Sequence, residues 1–301
     1  MLHQDIFRFK AYLFILTLCF TLLGITHRSD ALPLDPALHG LCDESCQSTG
    51  LPSLGPAQLQ AFNEISRIYG IALAPLPISP ANTIGINAVE ADFSFSFSSL
   101  SASSVTWAGA TEKKSEVSQL SAARFSLRKG LPYSVELEGQ LGYLINSELL
   151  TLGGGIKWAF HEAVRALPVD FNAHAGVSRV VGSTQLDLTT VSFGASLGAQ
   201  FGVLGLFNLA PYVNYQPVMI FAGSSTLDAT PGRYDPPGSD VSTTGGSAQS
   251  SSTAFVFPRS EELVQRVGGG VRLLFGALRI TPEYVWTPHL QSFNISLGLN
   301  L

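Results

Sequence analysis

The sequence predicts an all-β fold, a transmembrane antiparallel up-and-down β-barrel of about ten strands with a short helix-containing N-terminal extension. Three observations lead to it: a period-two alternation after residue 83, an asymmetry between short turns and long loops, and the composition. Charged residues make up 13% of the chain, about half the usual share. Glycine is abundant, at 29 residues. This composition suits strands with one lipid-facing side and one side of small polar residues.

The alternation is clearest in the 148–161 segment. One face carries Leu150, Leu152, Ile156 and Trp158, and the other carries small or polar residues. Such runs are long enough to cross a hydrocarbon core as tilted strands, which takes about 9–11 residues each. The same test along the chain predicts strands near 84–98, 117–128, 133–146, 148–161, 168–180, 187–202, 205–221, 263–276, 278–287 and 290–301.

Loop lengths give independent support. On one side of the predicted sheet the connections are short, such as 129–131 and 162–167, whereas 99–116 and the Ser-, Thr-, Gly- and Pro-rich segment 222–262 lie on the other side. Membrane barrels have short turns at one end and longer loops at the end that faces outside, so 222–262 is expected outside the cell. A soluble exported β-sandwich, the rival fold, gives no reason for this asymmetry.

The N-terminus predicts export. Arg8 and Lys10 precede an apolar run of about 15 residues, too short for a spanning helix of about 20. Small residues follow at Ser29 and Ala31, as before a cleavage site ahead of Leu32. These three regions are typical of a secretory signal peptide.

We therefore divide the chain into a signal peptide at 1–31, a Pro-rich periplasmic or plug-like extension at 32–82 and a barrel at 83–301. The extension contains one helical pattern, which begins after Pro56 and ends at Gly70. We expect a short amphipathic helix that lies against the barrel mouth or frays in the periplasm. Insertion into the lumen as a plug is the alternative.

Cysteine spacing predicts a local disulfide in the extension. Cys19 lies within the signal peptide, which leaves Cys42 and Cys46 as a pair in an exported chain. A metal site would need further ligands, and only His39 is close. We expect no metal and no cofactor.

These features together resemble the bacterial outer-membrane β-barrel class. The terminal strand at 293–301 alternates to its last residue, like the C-terminal signal that such proteins present to their assembly machinery. Leu301 departs from the pattern, because an aromatic residue is usual there. The resemblance implies a monomer in the outer membrane that contacts membrane lipids and lipopolysaccharide and is inserted by the assembly machinery.

The predicted inward face carries charges of both signs. Two interpretations stay open: ion-paired packing of a narrow interior, or a wetted conduit that orients a small polar solute. Under the first, Arg266, Arg272 and Arg279 would pair with carboxylates such as Glu136, Glu138 and Glu283. The lumen-lining residues predicted in this way are Glu90, Asp92, Arg124, Glu136, Glu138, Lys157, Asp170, His174, Arg266, Arg272, Arg279 and Glu283.

We expect no enzyme. His161 and His174 share inward faces with Ser178 and Ser192, but a serine-rich barrel produces such neighbours by chance, and the sequence has no Gly-x-Ser-x-Gly or His-Glu-x-x-His motif. The expected function is a narrow channel, solute transporter or structural surface barrel. An uptake channel for a hydrophobic substrate with 32–82 as a hatch, and a barrel-embedded lipid hydrolase, are the alternatives. A net charge of −5 and the lack of a basic stripe argue against nucleic acid as a partner.

Overall fold

The structure is a computed structural model that describes residues 32–42, 54–77, 80–100, 109–111, 118–160, 169–203, 207–228 and 254–300. The predicted signal peptide, Cys46, His161 and most of the two long loops lie outside these ranges. Within them, a 3₁₀ turn spans Leu38–Leu41 and helix α1 spans Pro56–Leu73. The strands are β1 Val89–Leu100, β2 Gln119–Leu131, β3 Val135–Leu144, β4 Leu150–Trp158, β5 Asp170–Val181, β6 Leu186–Gly198, β7 Phe201–Val203, β8 Phe207–Tyr215, β9 Val218–Ser224, β10 Leu227–Asp228, β11 Ala254–Phe255, β12 Ser260–Val264, β13 Val267–Phe275, β14 Leu278–Trp286 and β15 Leu290–Asn300.

The sheet is a closed antiparallel barrel of ten strands, which confirms the predicted fold class. Closure occurs where β1 pairs with both β2 and β15. Three barrel strands are each divided into two pieces: β6 with β7, β8 with β9, and β12 with β13. Thus β8 and β9 pair with β6 in one continuous register, and β13 and β12 pair with them in turn. The amide of Gln216 bonds to the carbonyl of Arg266 across the break, at 2.8 Å.

The two ends of the barrel differ, and we name them by their connections. The short-turn end carries the β2–β3 and β13–β14 turns, and the long-loop end carries the connections from β1 to β2 and from β9 to β12. The first strand begins at Val89 rather than at residue 84. The chain before it makes a turn, with positive φ at Gly85 and Asn87, whose amide bonds to the carbonyl of Gly130 at 3.3 Å.

Strand faces follow the predicted alternation. Large apolar side chains such as Leu152, Phe193 and Leu297 point outward and are about half exposed (52%, 48% and 48%). Their inward neighbours are small or polar and buried, as at Thr151. At Gly153 an added Cβ would lie 2.9 Å from the carbonyl oxygen of Val177, so the wall leaves no room for a side chain there.

Helix α1 lies inside the half of the barrel next to the long-loop end rather than across its mouth. It extends three residues beyond Gly70, to Leu73, and most of its second half is buried. It packs against β9, β6, β12, β15 and β2. The position is therefore that of the plug alternative. Among the described residues, no helix is both long and apolar enough to cross a bilayer.

The outward face predicts a depth-dependent cost for a buried charge. Phe193 lies near the centre of β6, whereas Phe201 lies in β7 at the short-turn end, and both are about half exposed (48% and 53%). In lipid, Phe193→Arg should lower the free energy of unfolding by about 2–4 kcal/mol, and Phe201→Arg by about 0–1 kcal/mol. A denaturant titration of the refolded variants in lipid vesicles measures both. Equal losses would contradict a lipid-facing belt.

The plugged lumen as candidate functional site

The half of the lumen next to the long-loop end is apolar and is filled by α1. The ring of Phe62 stacks on Phe257, with centroids 4.6 Å apart and planes at 6°. At Gly70 the helix approaches the wall so closely that an added Cβ would lie 2.7 Å from the side chain of Ile220. Both contacts belong to one buried cluster that also includes Leu144 and Leu188. Burial of this apolar surface holds the helix inside the barrel.

Between the helix and the short-turn end, barrel side chains bind the main chain of the N-terminal segment inside the lumen. We call residues 54–84 the plug, of which 78–79 are not described. Arg124 donates to the carbonyl of Ala72, and Arg266 donates to the carbonyl of Pro75. These carbonyls have left the helical hydrogen-bond pattern, and an unpaired buried carbonyl is costly. The wall therefore supplies the partners that the plug itself lacks.

The same arrangement continues to the short-turn end. The ammonium of Lys157 donates to the carbonyls of Asn82, at 2.9 Å, and Pro80, at 3.4 Å. The amide nitrogen of Asn172 donates to Pro80 as well, at 3.3 Å. The amide of Ile84 donates to a carboxylate oxygen of Glu136, at 3.3 Å. The wall thus binds the lower part of the plug through several polar contacts.

A buried ionic cluster surrounds the base of the plug. Arg128 is its centre, because its guanidinium contacts Asp92, Glu90 at 2.9 Å and Glu136 at 3.8 Å. Arg279 binds Glu90 and Asp92. Two further cations complete the cluster: Lys157 lies 2.7 Å from Glu136, and Arg272 lies 3.9 Å from Glu90. With three carboxylates and four cations, all nearly buried, the charges almost balance.

Ten of the twelve residues predicted to line the lumen are buried inside the barrel, and Glu138 and Asp170 are partly buried. The expected pairing differs in detail. Arg272 pairs with Glu90, and Arg279 pairs with Glu90 and Asp92, rather than with Glu136, Glu138 or Glu283. The reason is barrel closure, which places β1 beside β15 and therefore close to β14 and β13. Within the described residues, Arg266 has no carboxylate within 4 Å and binds Gln216 and the plug instead.

Sequence reasoning missed Arg128. Arg128 lies four residues after Arg124 and so on the same, inward face of the strand. The predicted strand ends at residue 128, and the predicted set of lumen residues omits it. In the structure β2 continues to Leu131, and Arg128 is buried and contacts three carboxylates. The alternation of inward and outward residues along β2 was therefore sufficient to identify Arg128 as a lumen residue.

The segment 32–42, which we call the cap, closes the long-loop end above the helix. The carboxylate of Asp35 accepts the amide of Glu148, at 2.6 Å. The hydroxyl of Tyr69 donates to the carbonyl of Leu34 at 2.7 Å and joins the cap to α1. The described residues of the cap and of the plug therefore pack against each other.

The cavities found between plug and wall beside Leu76 are small. Three cavities along Leu76 have volumes of about 10, 30 and 10 Å³. A cavity of about 10–15 Å³ holds a single water molecule, so these spaces take one or two waters each. Of the two interpretations of the lumen, the geometry favours the packed interior over the wetted conduit.

The candidate catalytic residues do not form a catalytic arrangement in the described part of the chain. His174 shares a hydrogen bond of 3.1 Å with Asn172, Ser178 bonds to Thr190 at 2.8 Å, and Ser192 accepts from Gln216 at 3.1 Å. Each hydroxyl has a structural partner. Among the described residues, no group of three His, Cys, Asp or Glu is placed to hold a metal ion.

Cys42 is disulfide-bonded. Cys46 lies outside the described residues, so the Cys42–Cys46 pairing stays a prediction.

A polar latch joins the helix to the barrel near the long-loop end. Arg67 on α1 lies 2.6 Å from Glu262 of β12 and 3.4 Å from the ring of His289, in the β14–β15 connection. Partial burial, and then the nearby Arg67 cation, lower the pKa of His289 below its ordinary value of 6.5. The opposing effects of Glu262 and Glu64 are smaller. The neutral imidazole is therefore the form that fits the latch.

No protein-family model matches the chain, and no curated protein matches its sequence. Among solved structures, the chain is similar to an outer-membrane channel from Pseudomonas putida F1, with TM-score 0.35 and 8% identity over 75% of this chain and 100% of that one. Neisserial surface protein A gives TM-score 0.29 and 15% identity over 71% and 95%. The Ail attachment invasion protein of Yersinia pestis gives 0.28 and 9% over 72% and 98%. At these values we draw no argument about function from the likenesses.

Removing the centre of the ionic cluster should be strongly destabilising. Arg128→Ala leaves Glu90, Asp92 and Glu136 with less compensation in a buried site, which typically costs about 3–5 kcal/mol of unfolding free energy. The matched control is Arg179→Ala, because Arg179 pairs with Asp187 on the exposed outer face at 3.2 Å. Loss of such a surface pair costs about 0–1 kcal/mol. Equal effects in a denaturant titration would contradict a closely packed ionic interior.

The latch predicts a pH dependence of stability. The pKa of His289 is lower in the folded protein than in the unfolded chain, so the unfolded chain takes up the proton first as the pH falls below about 6.5. The contribution of His289 is present above that pH and is lost below it. Between about pH 7.5 and pH 5, the wild type should lose more unfolding free energy than His289→Gln. Parallel pH profiles for the two proteins would exclude the latch.

Proposed function

We propose that this chain is an outer-membrane β-barrel protein whose lumen is held closed by its own N-terminal plug. The observation that carries the proposal is the binding of plug carbonyls by buried barrel side chains, above all Arg124 and Arg266. An open pore would leave these groups to water, whereas here they are placed to receive a polypeptide. The resting barrel is a structural surface barrel that does not conduct.

The outward face supports a membrane location. Large apolar side chains cover the middle of the strands, and Tyr284 lies toward the long-loop end, where its hydroxyl bonds to Gln291 at 3.0 Å. Aromatic residues of this kind border the apolar band of membrane barrels. We propose contacts with membrane lipids and lipopolysaccharide, insertion by the outer-membrane assembly machinery, a monomeric state, and no cofactor, nucleic acid or catalytic role.

A second candidate, a gated channel for small anions, is favoured by the same two arginines. Arg124 and Arg266 are fully buried, yet their guanidinium groups bind plug carbonyl oxygens and uncharged side chains rather than carboxylates within the described lumen. The nearby carboxylate of Glu283 compensates part of their charge and is itself bound by Asn214 at 2.9 Å. If the plug moved, one uncompensated cation would face the open lumen, which favours anions.

Planar-bilayer recording tests the closed state. The refolded wild type should show no stable open level. Gly70→Phe should displace the helix, because even a Cβ there collides with Ile220, and should open a conductance. The matched control is Gly139→Phe, since an added Cβ at Gly139 meets nothing within 4 Å. It should remain closed.

A stable open level in the wild type would overturn the closed barrel. If Gly70→Phe conducts, the ion selectivity of its current separates the two candidates. An anion preference that disappears in Gly70→Phe with Arg124→Gln and Arg266→Gln supports a channel. A non-selective leak argues for a structural barrel.

A further inference from the structure

The N-terminal segment runs the full length of the barrel, and strand β3 measures its path. Near the start of β3, the carboxylate of Glu136 accepts the amide of Ile84, at 3.3 Å. Just beyond the end of β3, the carbonyl of Asn146 accepts the amide of Leu34, at 3.0 Å. From Glu136 to Leu144, the last residue of β3, is eight steps of extended chain, about 27 Å at ~3.4 Å per residue. Leu34 and Ile84 therefore lie at opposite ends of the barrel.

Intermediate contacts follow this path in order. Phe62 stacks on Phe257 near the long-loop end. Ala72 meets Arg124 near the middle of β2. Pro80 meets Lys157, the penultimate residue of β4, at the short-turn end. The chain thus passes in one direction from the long-loop end to the short-turn end, and it enters the wall only afterwards, at Val89.

We propose that the barrel carries its own N-terminal segment across the membrane and displays the cap on the outer face of the cell. The inference rests on the proposed function, because the long-loop end must face outside. It goes further, since a closed lumen by itself does not require any direction of passage. The barrel then serves as an anchor for a surface-presented N-terminus.

The displayed cap is built into the outer surface rather than hanging from it. The amide of Ala37 donates to the carbonyl of Ala110, in the β1–β2 connection, at 2.7 Å. The ring of His39 meets the amide of Gln185, in the β5–β6 connection, at 3.3 Å. With Asp35 on the β3–β4 turn, the cap contacts three connections of the long-loop end. These contacts hold the threaded segment at its outer end.

The lower contacts prevent the segment from slipping outward. Pro80 and Asn82 are bound by Lys157, and Lys157 is itself paired with Glu136 at 2.7 Å. Because both ends are fixed, residues on the two sides of the plug report opposite compartments. Gln60 is exposed near the start of α1, and Ile86 is 65% exposed at the short-turn end. They are only 26 positions apart in sequence.

Cysteine labelling on intact cells tests the inference in the full-length chain. Four single variants are compared: Gln60→Cys and Ile86→Cys in the N-terminal segment, and Glu148→Cys and Tyr133→Cys in the barrel at the long-loop and short-turn ends. The wild type sets the background from the native cysteines. With a membrane-impermeant maleimide, Gln60→Cys and Glu148→Cys should label on intact cells. Ile86→Cys and Tyr133→Cys should stay at background until the outer membrane is permeabilised.

The barrel pair separates failure of this inference from failure of the proposed function. If Glu148→Cys labels on intact cells but Gln60→Cys does not, the N-terminus is not displayed and the inference is wrong, while the membrane barrel stands. Labelling of Ile86→Cys on intact cells would also exclude the threaded path. Labelling of Glu148→Cys only after permeabilisation would overturn the orientation in the proposed function itself.

Discussion

Inside a barrel this narrow, every main-chain polar group of an inserted segment needs a partner, and this constraint organises the rest of the structure. The plug leaves its helix at Leu73 and continues without regular hydrogen bonding, so its carbonyls have no partners of their own. Arg124, Arg266 and Lys157 supply them from three different strands. A barrel with a uniformly apolar interior would leave these carbonyls unpaired.

The division of the lumen follows from the same constraint. Where the plug is helical, its own hydrogen bonds are satisfied and the wall presents apolar residues such as Ile220 and Phe257. Where the plug is extended, the wall turns polar and the ionic cluster appears. Arg128 and Glu136 form an ion pair, and Glu136 also pairs with Lys157. These pairs orient Glu136 and Lys157 toward the plug. Packing and charge balance therefore work together to close the lumen.

This arrangement joins the proposed closed state to the proposed display of the N-terminus. The contacts that fill the lumen are also those that fix the direction of the threaded chain, from the cap to Ile84. The latch between Arg67, Glu262 and His289 lies where the helix meets the long-loop end of the barrel, and its side chains are partly exposed. Closure and presentation depend on one set of interactions.

The sequence by itself determined the barrel, because period-two alternation in each strand is a local pattern that survives without knowledge of neighbours. The predicted number of strands, ten, is the number in the structure. Of the twelve residues that the alternation assigned to the lumen, ten are buried. Only the tertiary structure decided the partners. Arg279 meets Glu90 because the barrel closes between β1 and β15, a pairing of the first and last strands that no local pattern encodes. The same holds for the plug, since an amphipathic helix has one apolar face whether it rests on a mouth or fills a lumen, and only the shape of the surrounding wall selects between them.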